Sequence, residues 1–356
     1  MKLESTLASW MSDFRFGLRL TLRRPFFSAA VVFLLALGIG ATTAVFSVYR
    51  SVLLVPLPYP SQERLVLVWE TMEGRSGKGP ASGPNFLDWQ DRARSFDSLA
   101  AFSPGSYNLS GEGEPMRVAG GLVTWSIFEV LGVMPEIGRP FTAEDEDGTA
   151  IIISHRLWQS FLGGSDHALG AEVLVNGAAH TVVGVMPEGF DLLNPWTLGS
   201  PMDLWVPFRA PSAPELRSSH WLLVMGRLAE ETSLEQAQRE MDIIAAALST
   251  AYPDTNRIQR VKVAPLHEEI AGWAQRPLIT LLAASVLVLL IASGNVGGLL
   301  ITRITAREPE LALRSSLGAR QARLARLVLA ENLPLVLVGG AVGALFAHWG
   351  LVVLES

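Results

Sequence analysis

The sequence predicts a membrane protein: transmembrane α-helices plus a large α+β extracytoplasmic domain. Residues 26–49, 277–302 and 332–354 run for 24, 26 and 23 positions without a formal charge. At 1.5 Å per residue each is long enough for a hydrocarbon core of ~30 Å. Mean hydropathy is +0.31. Only 17% of residues are charged, against about a quarter in soluble domains. Between the first two apolar stretches lie residues 50–276, with 17 basic and 28 acidic side chains. That composition belongs to a water-exposed domain.

Residues 1–25 form the first segment, with an amphipathic helix expected over 11–24. Phe14, Leu18 and Leu22 share one face there, beside Arg15, Arg19 and Arg23. Such a basic helix suits a cytoplasmic anchor in the headgroup layer. The apolar run 26–49 is too long for a signal-peptide core and no A-x-A-like site follows it, so it is expected to be a retained span. Lysine and arginine bias sets orientation. Residues 1–25 hold five basic and two acidic side chains, and residues 303–331 six basic and three acidic. Both flanks are expected in the cytoplasm, with residues 50–276 outside.

Within that middle, Pro56, Pro58 and Pro60 mark an extended exit from the first span. Residues 64–70 predict a buried strand, 74–84 a loop, and a short helix is expected near Asn85. Short β runs follow at 116–123 and 150–153, with helical patches at 125–131 and 155–161. Asn176-Gly177 between the β-branched runs 172–175 and 180–185 predicts a hairpin, because a type I′ turn needs positive φ at both central positions. Thr232 and Glu235 predict a capping box for a helix burying Leu234, Ala237, Met241, Ile244, Ala245 and Leu248. Pro253 should end it, and Val261-Lys262-Val263 should be the last strand before the bilayer. The strands are expected to divide into two lobes. Residues 277–302 are the second span, 303–331 a cytoplasmic segment with a helix starting at Pro309, and 332–354 the third span.

No catalytic constellation emerges. The 74–80 segment has glycines and Lys78, but Gly79 and Pro80 stand where a phosphate-binding loop needs Ser/Thr and a helix start. Residues 144–148 are acidic without EF-hand spacing. The six histidines show no metal-ligand spacing, cysteine is absent, and no G-x-S-x-G occurs. An acidic outer domain also disfavours nucleic acid. No cofactor, metal or active site is expected. Small residues recur four apart in each span, at Gly40/Ala44, Gly294/Gly298 and Gly339/Gly343. That interval permits close helix packing in lipid, and Asn295 adds a group able to hydrogen-bond across helices.

Whole segments carry a resemblance: 35–60 with LALGIG and PLPYP, 84–102, 128–146, 175–190, 203–208 (DLWVPF), 237–256 and 310–332. Together they resemble the MacB/FtsX-type permeases of ABC transporters, in particular an orphan subgroup abundant in acidobacteria. The resemblance implies a multi-pass protein of the bacterial inner membrane, with a MacB-like periplasmic core domain over 50–276 and part of an FtsX-like permease domain over 302–356. It implies a partner, a cytoplasmic ABC ATPase, and a dimer with itself or another permease in the lipid bilayer. Arg307, Glu310, Arg314 and Gly318 would belong to the ATPase-contacting segment, where Pro309 replaces the family's usual basic residue. Against a family unit of four spans, the chain stops after the third. The implied function is mechanotransmission, coupling ATPase movement to the outer domain for export or envelope remodelling. The alternative is a membrane-anchored binding or sensory module without an ATPase.

Overall fold

The computed structural model describes residues 25–74, 77–110, 115–165, 167–192, 201–306, 308–316 and 321–355. The amphipathic helix expected over 11–24 lies outside them. The chain divides into two units, Met1–Val55 with Ala274–Ser356, and Pro56–Trp273.

Helix α1 (Pro25–Leu53) opens the first unit. It stops just before Pro56 and Pro58, whose rings disfavour helical geometry in the residues before them. The second unit begins with β1 (Leu65–Met72). Leu65, Leu67 and Trp69 enter one apolar cluster and Val66 and Val68 another. With both faces covered, the strand is a continuous apolar run rather than an alternating one. Strand β2 (Ala81–Ser82) leads directly into α2 (Gly83–Arg92). The loop expected through residue 84 therefore ends sooner. Ser82 Oγ accepts the Asn85 N–H at 3.3 Å, and Pro84 in the first turn presets helical φ.

Strand β3 (Phe96–Ser110) has no counterpart in the sequence reading. Pro104 and Gly105 interrupt its pattern, yet both pair with β4 (Met116–Val123), opposite Gly121 and Gly120. Pairing of β3 with its other neighbour ends at Phe102. The missing N–H of Pro104 thus falls where a ladder bond is not required. Next come α3 (Ile127–Leu131), β5 (Ile137–Gly138), β6 (Ala150–Ile153) and α4 (His155–Phe161). Strands β7 (Glu172–Val175) and β8 (Ala178–Val185) make the expected hairpin, with φ of 50° at Asn176 and 84° at Gly177. Strands β9 (Leu204–Pro207) and β10 (His220–Leu228) follow.

Helix α5 (Leu234–Ala251) buries Ala237, Met241, Ile244, Ala245 and Leu248. Its capping box is one residue later than expected. Ser233 Oγ accepts from Gln236 N at 3.2 Å, and Ser233 N donates to Gln236 Oε1 at 2.7 Å. Thr232 and Glu235 have the same spacing, but the Thr232 N–H closes a turn on Ala229 O at 3.1 Å, which leaves Ser233 as the cap. A short α6 (Pro253–Asn256) and β11 (Gln259–Pro265) complete the unit.

Among the described residues, eleven strands join one sheet. Its path is β11-β1-β10-β3-β4-β9-β6-β8-β5, with β2 on β10 and β7 on β3 and β8. Pairs β4/β9 and β6/β8 are parallel. Trp205 anchors one side of the core, edge-on to Phe128 at 6.0 Å and to Phe190 at 5.4 Å. The edge strand β11 is closed by a side chain. Gln238 Nε2 donates to Val261 O and its Oε1 accepts from Val263 N, both at 2.9 Å. One amide from α5 thereby pairs the two backbone groups a further strand would use.

Helix α7 (Leu266–Thr305) starts eleven positions before Pro277, the residue expected to open the span, and holds that proline within it. Helix α8 (Glu308–Ser316) begins beside Pro309 as expected, and α9 (Gln321–Glu355) runs through Pro334. Among the described residues, three helices are long and apolar enough to cross a membrane, over Pro25–Leu53, Leu266–Thr305 and Asn332–Gly350.

Replacing Gln238 by leucine leaves Val261 O and Val263 N unpaired at the sheet edge. The expected loss is about 1–3 kcal/mol, read as a lower thermal midpoint in detergent, with faster aggregation on heating. Gln238→Glu should restore only the bond accepted from Val263 N and fall between.

Candidate functional site

The membrane-crossing helices meet where glycine removes side chains. A Cβ on Gly343 would lie 2.9 Å from Ala36 O, and one on Gly40 would lie 3.0 Å from Gly343 O. Both distances are to backbone, which cannot swing aside. Gly339 faces Leu35 Cβ at 2.8 Å by the same measure. Helices α1 and α9 thus approach backbone to backbone. Val31, Leu35, Val296 and Leu335 form the buried cluster beside this crossing. Thr42 Oγ1 donates to Gly38 O at 2.9 Å and lies 3.2 Å from Ser285 O, tying α1 to α7. Ala44 is half-buried. Gly294 and Gly298 instead have no heavy atom within 4 Å of a built Cβ, and Asn295 is exposed. Of the small-residue pairs read from the sequence, the structure brings Gly40, Gly339 and Gly343 together and leaves the α7 pair on an open face.

The candidate ATPase-contacting residues fall around α8. Glu310 and Arg314 stand one turn apart on it, whereas Arg307 and Gly318 lie outside the described residues. Just before it, the Arg303 guanidinium lies 5.3 Å from the Phe27 ring centroid.

In the second unit a chain of polar side chains is buried under α2. Glu70 is 5% exposed and Asn85 1%. Glu70 Oε1 accepts from Asn85 Nδ2 at 2.7 Å and Ser82 N at 3.2 Å. Its Oε2 is 2.7 Å from His220 Nδ1. Asn85 Oδ1 accepts from Asn256 Nδ2 at 2.9 Å and Arg217 Nη1 at 2.5 Å. Arg217 also pairs with Asp88 at 2.7 Å and covers the Tyr252 ring at 3.8 Å. Arg217 has its opposite charge in Asp88, and Glu70 gains one in His220 when that ring is protonated. The hydrogen bond to Glu70 raises the His220 pKa, against the opposing effect of burial. Sequence reasoning passed over this group. The available signal was Glu70 itself, an acid on the strand face that Val66 and Val68 bury.

The acidic segment falls in a 3-10 turn, Ala143–Asp147, closed by Gly148. Asp145 accepts two bonds from Arg139, at 2.7 and 2.8 Å. These hydrogen bonds lower its pKa to about 2. Among the described residues no group of three His, Asp or Glu side chains converges on a metal position.

Residues 28–244 match the family described as the MacB-like periplasmic core domain. Residues 282–355 match the one described as the FtsX-like permease C-terminal region. The macrolide export ATP-binding/permease protein MacB of Hahella chejuensis is 23% identical over 224 residues, 62% of this chain and 33% of that protein. Its counterpart in Neisseria meningitidis serogroup A is 23% identical over 248 residues, 64% of this chain and 37% of that protein. The chain therefore spans about a third of the length of the curated relatives it matches. Among solved structures, the periplasmic region of MacB from Actinobacillus actinomycetemcomitans aligns with a TM-score of 0.43 and 11% identity, covering 60% of this chain and 92% of that one. The extracellular domain of the ABC-type transporter YknZ from Gram-positive bacteria aligns with a TM-score of 0.42 and 17% identity, covering 56% and 99%.

Two measurements test the packing and the polar chain. Gly343→Leu should force α1 and α9 apart and lower stability by about 1–3 kcal/mol, seen as a fall in thermal midpoint. Gly294→Leu should leave the detergent-dispersed monomer unchanged. For His220, a folded pKa above its unfolded value means the stabilisation is complete below about pH 6.5 and is lost as pH rises through the folded value. Glu70→Gln keeps the Oε1 acceptor but removes the charge. Its stability should therefore vary less than the parent's across that window, and an identical pH profile would refute the role given to Glu70.

Proposed function

The chain belongs to the MacB/FtsX family of ABC-transporter permeases, and from that premise we propose that it is a mechanotransmitting permease subunit. It couples movement of a cytoplasmic ABC ATPase to the Pro56–Trp273 unit, for export or remodelling of the envelope. The periplasm holds residues 50–276, and the cytoplasm holds the N-terminal segment and α8. The three charge-poor spans and the acidic domain between the first two support this topology.

The observation that carries the coupling role is the backbone continuity of α7. The helix starts at Leu266, directly after the last strand, and runs to Thr305, with one ladder bond missing at Pro277. The segment assigned to ATPase contact follows at once. One element thus joins the outer domain to the region a motor would push. Within the membrane, the Gly40–Gly343 contact leaves no room for a solute path between α1 and α9, which suits mechanical work better than conduction. Segment 74–80 lacks the residues that bind phosphate and Mg²⁺, so this reading assigns nucleotide chemistry to the ATPase. Arg307, Glu310, Arg314 and Gly318 form the contact with the ATPase, and the working unit is a dimer with itself or another permease.

Orientation is tested with single cysteines, which are unique because the chain has none. In intact cells an impermeant maleimide should label Ser106→Cys, an exposed position of the outer domain. It should spare Ser316→Cys, exposed at the end of α8. The reverse pattern would overturn the topology. Tagged protein should co-purify with an ABC ATPase and ATP hydrolysis, and Arg314→Glu should reduce both about tenfold or more, as loss of a buried interfacial charge pair does. Undiminished co-purification would remove Arg314 from the contact.

A further inference from the structure

A cavity of about 300 Å³ opens beside the buried Glu70–His220 pair. Its walls include Thr71, Met72, Pro80, His220 and Gln259, and all of it lies within the Pro56–Trp273 unit. We propose that this cavity binds a small amphipathic molecule, its apolar body against Met72 and Pro80 and its hydroxyl or ammonium head donating a hydrogen bond to His220 Nε2. The site stands apart from the ATPase-coupling role and does not depend on it.

The polar groups at the cavity select a donor. Glu70 Oε2 holds His220 Nδ1 at 2.7 Å. In the neutral ring that leaves Nε2 as the acceptor. Gln259 is 9% exposed, and its Oε1 accepts no hydrogen bond from the chain. Lys78 of the wall is engaged by Glu269, and Arg260, which pairs across the strands with Thr71, is engaged by Glu73. The His220 acceptor and an apolar floor match a head that donates and a body that does not.

The cavity is built into the backbone rather than left by a side chain. Gly79 exchanges two hydrogen bonds with Glu70, N to O at 2.8 Å and O to N at 3.0 Å, which fixes the 77–80 segment alongside β1. Neither Gly77 nor Gly79 sends a side chain inward. Met72, 37% exposed, supplies a polarisable, adaptable wall of the sort found at permissive binding surfaces. Volume, apolar lining and a few convergent polar groups place the cavity at the small end of ligand sites, which run from about 300 to 1,000 Å³.

Thr71→Cys installs a single thiol in the cavity wall of the otherwise cysteine-free full chain. In nanodiscs at pH 8.5, its alkylation by iodoacetamide is followed against the free concentration of three probes: 4-butylphenol, 4-butylbenzylamine and 4-butylanisole. The ether has the same apolar body but no donor. The phenol or the amine should give half-protection at a concentration about five- to tenfold lower than the ether, the effect of one hydrogen bond. Whichever of the two protects better identifies the head group. Equal protection by all three, or none by any, overturns the proposal. His220→Phe in the same background should abolish the advantage over the ether, and its persistence would overturn the assignment to His220. Should that variant not fold, the comparison in the Thr71→Cys chain decides alone.

Discussion

A peptide group inside hydrocarbon has no water to bond to, and this constraint shapes the rest of the molecule. Each spanning segment must satisfy its N–H and C=O groups within itself, so it must be a helix. Lipid gives such helices no hydrophobic reason to associate, and contact has to come from close fit. Gly40, Gly339 and Gly343 supply the fit by letting α1 and α9 touch at the backbone. Even Thr42 returns its hydroxyl to a carbonyl within the bundle rather than leaving it in lipid.

The outer domain obeys the same requirement by other means. Its edge strand β11 is paired by the Gln238 side chain. The buried end of β1 carries Glu70, which survives there because Asn85, Ser82 and His220 surround it. Asn85 passes the constraint on to Arg217 and Asn256, and so to α6 and the turn before β10. One carboxylate on one strand thereby fixes the positions of α2, β2 and α6 over that face. The same fixation holds the ring of His220 in the wall of the cavity.

Much of this was legible. The β7/β8 hairpin follows from Asn176-Gly177, because only that pair takes positive φ twice at little cost. The buried face of α5 follows from its spacing, although its cap does not, since two overlapping S/T-x-x-E/Q patterns differ only in which residue the preceding turn consumes. Strands β3 and β10 escaped notice for opposite reasons. Pro104 and Gly105 disguise β3, which tolerates them where it lacks a second neighbour. The run WLLVMG in β10 is apolar throughout, and a segment covered on both faces shows no period to separate strand from buried helix. The start of α7 at Leu266 was hidden because the helix continues from polar into apolar sequence, while hydropathy marks only the apolar part.

By itself the sequence determined the existence of the spans, the α+β character of the domain between them and the family. Each of these rests on local composition, periodicity or contiguous motif. Only the tertiary structure decided that the strands form one sheet, that Gly343 rather than Gly294 meets a neighbour within the chain, and that Glu70, Asn85, Arg217 and His220 are partners. Those facts depend on residues far apart in the chain finding each other as donor and acceptor or as knob and hole. Such complementarity leaves no periodic trace in either segment alone.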